Sequence, residues 1–164
     1  MSDSPHTQQP ADTLLSLLDA ATESVLAEFR RELEGAGYAD IRPTHGCVFR
    51  FVRDDGMRLT ELAQLAGMTK QSVGELVDDL VDLGYVERIP DPQDRRAKLI
   101  CLTDRGIEAQ RVGFGLLAEI EDRWAERFGA PRVKQLRKLL EEAVGEDVPG
   151  AAPELRERRL ASVS

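Results

Sequence analysis

Histidine, cysteine and aromatic residues are scarce in this chain, and each scarcity excludes something. Only two histidines occur in the 164 residues, His6 near the start and His45, which leaves little for acid–base or nucleophilic catalysis. No glycine-rich phosphate loop is present either, so an enzyme is not expected. The cysteines are Cys47 and Cys101. They lie far apart in apolar segments, with no CxxC pair or His/Cys cluster, which argues against a zinc site and a structural disulfide. No metal and no cofactor is expected. No run of 18 apolar residues exists, and the opening MSDSPHTQQPADT lacks a basic n-region and an apolar h-region; a soluble, cytoplasmic protein without membrane contact is the expectation. The chain is also not basic. At a net charge of −8 and a pI near 4.9, it is unsuited to coating nucleic acid or anionic membrane indiscriminately.

What is present is mostly aliphatic and helical in period. Residues 1–11 are polar and read as a disordered leader. Asp12 or Thr13 is placed to cap a helix to about Glu34, with Leu14, Leu18, Ala21, Val25 and Phe29 as its apolar stripe, widened by Leu15, Leu17 and Leu26. Thr44 is expected to cap a short helix from His45 to Arg53, ended by Asp54-Asp55-Gly56. Near the other end, Thr103 caps a helix to Phe128, along which Val112, Leu116, Ile120, Trp124 and Phe128 recur every four residues. Gly113 and Gly115 weaken it, or let a neighbouring helix approach. Pro131 suits the first turn of a last helix ending at Gly145. Residues 146–164 read as a flexible tail.

The stretch from Leu59 to Thr103 is the most informative. Arg58-Leu59 is a short extended piece, expected beside the later hairpin as a minor third strand. Thr60 is expected to cap a helix whose buried side is Leu62, Ala63, Leu65 and Ala66. Gly67 supplies a permissive turn, and Met68 is expected to plug the angle between helices. Thr69 caps a second helix in which Val73, Leu76, Val77, Leu80 and Leu83 follow the i, i+3, i+4, i+7 rule. Its other face, on the first two turns, presents Lys70, Gln71, Ser72, Gly74 and Glu75. Two alternating strands follow, Tyr85–Ile89 and Lys98–Thr103, joined by a Pro/Asp-rich turn carrying Asp94, Arg95 and Arg96. Helix, glycine turn, capped helix and hairpin in this order describe a winged helix-turn-helix, a device for reading DNA.

Chemistry assigns the roles. The free N–H groups at the start of the second helix can hold a phosphate, helped by the Thr69 and Ser72 hydroxyls. Lys70 can reach a phosphate or a guanine edge, Gln71 suits adenine, and Glu75 can accept from cytosine N4. Gly74 leaves room for close approach. The arginines of the wing tip suit the minor groove, with Asp91 or Asp94 aiming one of them. From Thr69 to Arg105 there are six cations and eight anions, a net −2. Asp79 and Asp82 lie on the half of the helix that leaves the groove. Asp78, following Gln71 and Glu75 along the exposed stripe, should repel phosphate. Modest, salt-sensitive affinity follows.

The residues LTELAQLAGMTKQSVGELVDDLVDLGYVER followed by DPQDRRAKLICLTDRG resemble the MarR-type (multiple antibiotic resistance regulator) winged helix-turn-helix repressors. The Asp-x-x-Asp-Arg-Arg wing with a strand ending Leu-Thr is fairly specific to them. The close likeness covers Leu59 to Gly106; outside it only the order of helices agrees. It implies a homodimer with two reading heads on palindromic double-stranded DNA. It also implies DNA binding weakened by small phenolic or lipophilic anions, or by thiol oxidation. Carried over, the DNA positions are Thr69, Lys70, Gln71, Ser72, Gly74, Glu75, Asp94, Arg95 and Arg96. Gly74-Glu75 departs from the Ser-Arg of many relatives.

The expected fold class is mainly α with a small β-wing. A winged helix-turn-helix at residues 44–103 is joined to a helical dimerisation region formed by residues 12–36 and 104–145. The wide apolar stripes of those outer helices support a dimer on their own. An effector pocket would draw on His45, Cys47, Phe49, Arg50 and Trp124. Competing with that are core packing for Phe49 and Trp124, capping or surface placement for His45, and an inert buried thiol for Cys47. Alternation along the second wing strand puts Cys101 opposite Ile100 and Leu102. The competing functions are a winged-helix protein–protein module, which has no need of wing-tip arginines, and a ligand-independent or thiol-redox regulator.

Overall fold

The computed structural model describes residues 13–94 and 96–145. The leader, residue 12, Arg95 and the tail from 146 lie outside the described residues. Chain order is α1 (Leu14–Gly35), a 3-10 turn (Pro43–His45), α2 (Gly46–Phe51), β1 (Met57–Arg58), α3 (Leu59–Ala66), α4 (Lys70–Asp82), β2 (Val86–Pro90), β3 (Lys98–Leu102), α5 (Asp104–Phe128) and α6 (Ala130–Gly145). It is a mainly helical fold with a small antiparallel sheet of order β1-β3-β2. In the hairpin Val86 faces Leu102 and Pro90 faces Lys98, while Met57 of β1 lies opposite Ile100. The minor third strand is therefore real, though Leu59 has passed into α3.

The core forms where the apolar faces of α2, α3 and α4 meet the sheet. Val48, Leu62, Val73, Val77, Leu80, Tyr85 and Ile100 are fully enclosed. The i, i+3, i+4 pattern of α4 thus marks its inner face, with Leu76 and Leu83 at the margin. At Gly67 the backbone is left-handed (φ 61°), a conformation that costs a residue bearing a Cβ. α5 runs back across α1: Gly113 brings it within 3.6 Å of the Phe29 ring (measured to an added Cβ), and Arg123 pairs with Glu28 and Glu32.

Three local expectations are corrected. Thr44 does not cap α2. Pro43 starts a 3-10 turn and His45 closes it, the Arg42 N–H donating to His45 Nδ1 at 3.1 Å. The rigid φ of proline opens the turn one residue before Thr44, and α2 ends at Phe51 rather than Arg53. Nor does Thr60 cap α3, which begins at Leu59 with Arg58 as its uncapped N-terminal neighbour, because Arg58 is held in β1. Met68 plugs nothing; it is exposed. Thr69 and Thr103 cap as expected, their hydroxyls accepting from the Ser72 and Gly106 amides.

Candidate nucleic-acid interface and adjoining cavity

The outer face of α4 is built by its cap and its inner face together. Burial of Val73 and Val77 turns Lys70, Gln71 and Glu75 to solvent. The Thr69 hydroxyl accepts from the Ser72 amide at 3.1 Å and lies 2.8 Å from the Ser72 hydroxyl. Ser72 is thereby tied to the cap. Gln71 Nε2 donates to Glu75 Oε1 at 3.4 Å, and Gly74 packs 3.8 Å from Leu59 (to an added Cβ). A row of hydrogen-bonding side chains on one exposed helical face can meet the edges of base pairs.

The acidic second half of α4 is not bare. Arg88 Nη1 of β2 lies 2.6 Å from Asp78 Oδ1, and Arg42 pairs with Asp79. Two of the eight carboxylates counted from Thr69 to Arg105 are thus matched by cations, Asp78 by Arg88 of the same stretch and Asp79 by Arg42 from outside it. An adjacent Asp-Asp pair on an exposed face signals that partners are needed. Their identity depends on the fold.

The wing turn is organised by Asp91, which the two flanking prolines hide only in part from the sequence's logic. It is 6% exposed, accepts from the Gln93 amide at 2.8 Å, and takes both Arg58 Nε (2.9 Å) and Nη2 (2.6 Å). The Gln93 amide and then the Arg58 guanidinium hold its carboxyl below the usual carboxylate range. The partner of Asp91 is thus Arg58 in β1, which also stands 3.9 Å from Asp94. Asp94 Oδ1 accepts from the Arg96 amide at 3.1 Å, and the Arg96 side chain is exposed. Arg95 lies outside the described residues.

Behind α4 a second set of contacts closes the head. Tyr85 donates to Asp40 at 2.7 Å, and burial, then Asp40, pushes its hydroxyl up to about 12. Arg105 donates to Asp40, Tyr85 and the Leu83 carbonyl, fixing the end of α4 to the start of α5. Nothing in the sequence joins residues 40, 85 and 105.

A cavity of about 760 Å³ lies between α1, α2 and α5. Its wall includes Phe29, Leu33, Phe49, Phe51 and Phe114, and four arginines, Arg30, Arg42, Arg50 and Arg137; no carboxylate is among the described lining residues. Of the expected pocket residues, Cys47, Phe49 and Arg50 are on this wall. His45 and Trp124 are not. His45 is fully enclosed at the start of α2, its Nε2 3.6 Å from Asp79 Oδ2, and Trp124 packs edge-on against Phe128. Burial raises the Cys47 thiol, whose Sγ donates to the Thr44 carbonyl at 3.4 Å, and burial raises Cys101 too, so neither is poised as a thiolate.

A helix-turn-helix followed by the β2–β3 hairpin, which pairs with β1 from before it, defines the chain as a winged helix protein. Residues 39–97 match the family model described as MarR family. The HTH-type transcriptional regulator PetP of Rhodobacter capsulatus is 33% identical over 101 residues, 61% of this chain and 60% of that one. The match therefore spans under two thirds of that relative's length. CouR of Rhodococcus jostii RHA1, solved bound to p-coumaroyl-CoA, is 25% identical with a TM-score of 0.67, covering 87% of this chain and 99% of that one. A structure of CouR bound to a 23-mer DNA duplex shares the fold, with a TM-score of 0.70 at 23% identity over 86% of this chain and 99% of that one. Over residues 39–97 the chain is thus similar to the MarR family, and it shares the winged-helix fold of these solved regulators.

Proposed function

We propose that the protein is a homodimeric, sequence-specific, cytoplasmic DNA-binding repressor whose hold on a palindromic operator is relieved by a small lipophilic anion. The observation that carries the DNA reading is the exposed row Lys70, Gln71 and Glu75 on a Thr69-capped helix, flanked by a wing whose turn Asp91 rigidifies. Ser72 and Gly74 shape that row, and Asp94, Arg95 and Arg96 are assigned to the wing's phosphate or minor-groove contact. The dimer is supported by apolar side chains left at the surface on the outer helices: Leu14 (73% exposed), Leu15, Leu17, Leu136, Leu139 and Leu140. The ligand reading is supported by an aromatic-walled cavity carrying four arginines and, among the described residues, no acid. CouR, of the same fold, has been solved bound to p-coumaroyl-CoA and to a 23-mer DNA duplex.

The decisive experiment is fluorescence anisotropy with duplex DNA from the region upstream of the protein's own gene, across a salt series, with light scattering for mass. A dimeric mass and specific binding that falls steeply with salt are expected. Arg96→Ala should lower affinity and flatten the salt slope. Unchanged binding at about 0.15 M salt would remove the wing from the interface, and absence of any specific duplex would favour a protein–protein module.

A further inference from the structure

We propose that Arg42 is the link between the cavity and the DNA-reading helix: an anionic head group in the cavity takes this guanidinium away from Asp79 and so releases α4. The inference rests on the ligand reading above and adds its mechanism. Three facts converge on the one residue. Arg42 stands on the cavity wall, it pairs with Asp79 on α4, and its guanidinium lies 3.2 Å from Nε2 of the enclosed His45.

The backbone of Arg42 is fixed while its side chain is not. Ile41 on one side is buried and Pro43 on the other has a locked φ, and the Arg42 amide is spent on His45 Nδ1. The side chain is 57% exposed, so it can swing between acceptors without disturbing the core. Asp79 is its acceptor on the α4 side, and the described lining residues offer it no carboxylate on the cavity side. An incoming carboxylate or phosphate supplies one, in a less hydrated setting where the attraction is stronger.

The consequence for α4 follows from its other tether. Asp78 is held by Arg88 from the wing and Asp79 by Arg42 from the cavity side, so neighbouring residues are tied to different elements. Removing Arg42 leaves Arg88 as the remaining ion-pair tether on this stretch of the helix and leaves Asp79 without its Arg42 partner beside the DNA-facing surface. Both effects lower DNA affinity. The coupling is reciprocal: bound DNA, by favouring the Arg42–Asp79 pair, weakens the ligand by the same factor.

The test uses the full chain, aromatic carboxylates (benzoate, salicylate, 4-hydroxycinnamate) with their uncharged methyl esters, and a duplex selected by the wild type from a randomised library. Thermal shift reads cavity occupancy; the ratio of DNA Kd with and without ligand reads coupling. In the wild type a carboxylate should raise Tm and raise the DNA Kd at least about fivefold, the low end of ordinary allosteric coupling, and its ester should not raise the DNA Kd. Asp79→Asn should keep or enhance the Tm shift while bringing the Kd ratio toward one. Arg42→Gln should reduce the carboxylate's Tm shift, spare the ester's, and also bring the ratio toward one. If the wild type responds and both variants respond equally, the Arg42 link is wrong and the cavity reading stands. If no carboxylate shifts the wild-type Tm, the cavity reading fails and takes the link with it.

Discussion

Arg88 on the wing and Asp78 on α4 form an ion pair across 2.6 Å, and this contact joins the two elements proposed to meet DNA. Asp78 lies on the same exposed stripe as Gln71 and Glu75, where an unpaired carboxylate would repel phosphate. Arg88→Met should weaken DNA binding about three- to tenfold, the sum of an exposed pair worth up to about 1 kcal/mol and an uncovered charge. Adding Asp78→Asn should recover most of it. Anisotropy titrations on the single and double variants check this, and a double variant no better than Arg88→Met would refute it.

Asp91 sets the wing. Its carboxylate gathers the Gln93 amide and the Arg58 guanidinium. Asp91→Ala should lower Tm and bring DNA affinity down to the level of Arg96→Ala, since the tip loses its frame. Its carboxyl is held below the ordinary value of 3.8, so the stabilisation is complete above 3.8 and is lost as pH falls through the lowered folded value. Urea unfolding at acid pH should show the wild type losing its advantage over Asp91→Ala there.

His45 has the same sign for a different reason. Burial first, then the Arg42 guanidinium, lower its pKa from 6.5. The Arg42 amide donates to Nδ1, and the Arg42 guanidinium stands 3.2 Å from Nε2, which lies 3.6 Å from Asp79. Because the folded value lies below the unfolded 6.5, the contribution is full above 6.5 and is lost as pH falls from there to the folded value. Stability of the wild type should therefore decline on acidification in that window, while His45→Gln, less stable at pH 8, should lack that component. Parallel pH profiles for both proteins would refute it.

Gly106 is a steric requirement. A Cβ there would stand 2.0 Å from the Tyr85 carbonyl oxygen, a backbone atom that cannot move without moving the end of α4. Gly106→Ala should cost about 1–3 kcal/mol or more from overpacking. Gly113→Ala, whose methyl would rest in ordinary contact 3.6 Å from the Phe29 ring, should be near neutral or stabilising. Thermal melts of the two variants compare them directly.

Periodicity and caps made most of the head legible. The inner face of α4, the Thr69 and Thr103 caps and the alternating wing strands follow from local rules that tertiary packing did not override. The starts of α2 and α3 were less legible. Pro43 and the β1 pairing of Arg58, rather than the nearest threonine, decide where those helices begin. The pocket was legible only in part. Cys47, Phe49 and Arg50 lie on the wall, but Arg42 was hidden in a loop and His45 is turned into the core.

By itself the amino-acid sequence determined the order of elements, the buried faces, and which side chains α4 offers outward. Hydrophobic period and capping are local, and they act wherever the chain is. The tertiary structure alone decided which charges meet. Asp78 with Arg88, Asp79 with Arg42, Asp91 with Arg58 and Asp40 with Arg105 join residues that are 10 to 65 positions apart. Coulomb attraction carries no sequence period, so a net count of −2 from Thr69 to Arg105 could not reveal that Asp78, Asp79 and Asp91 were already matched.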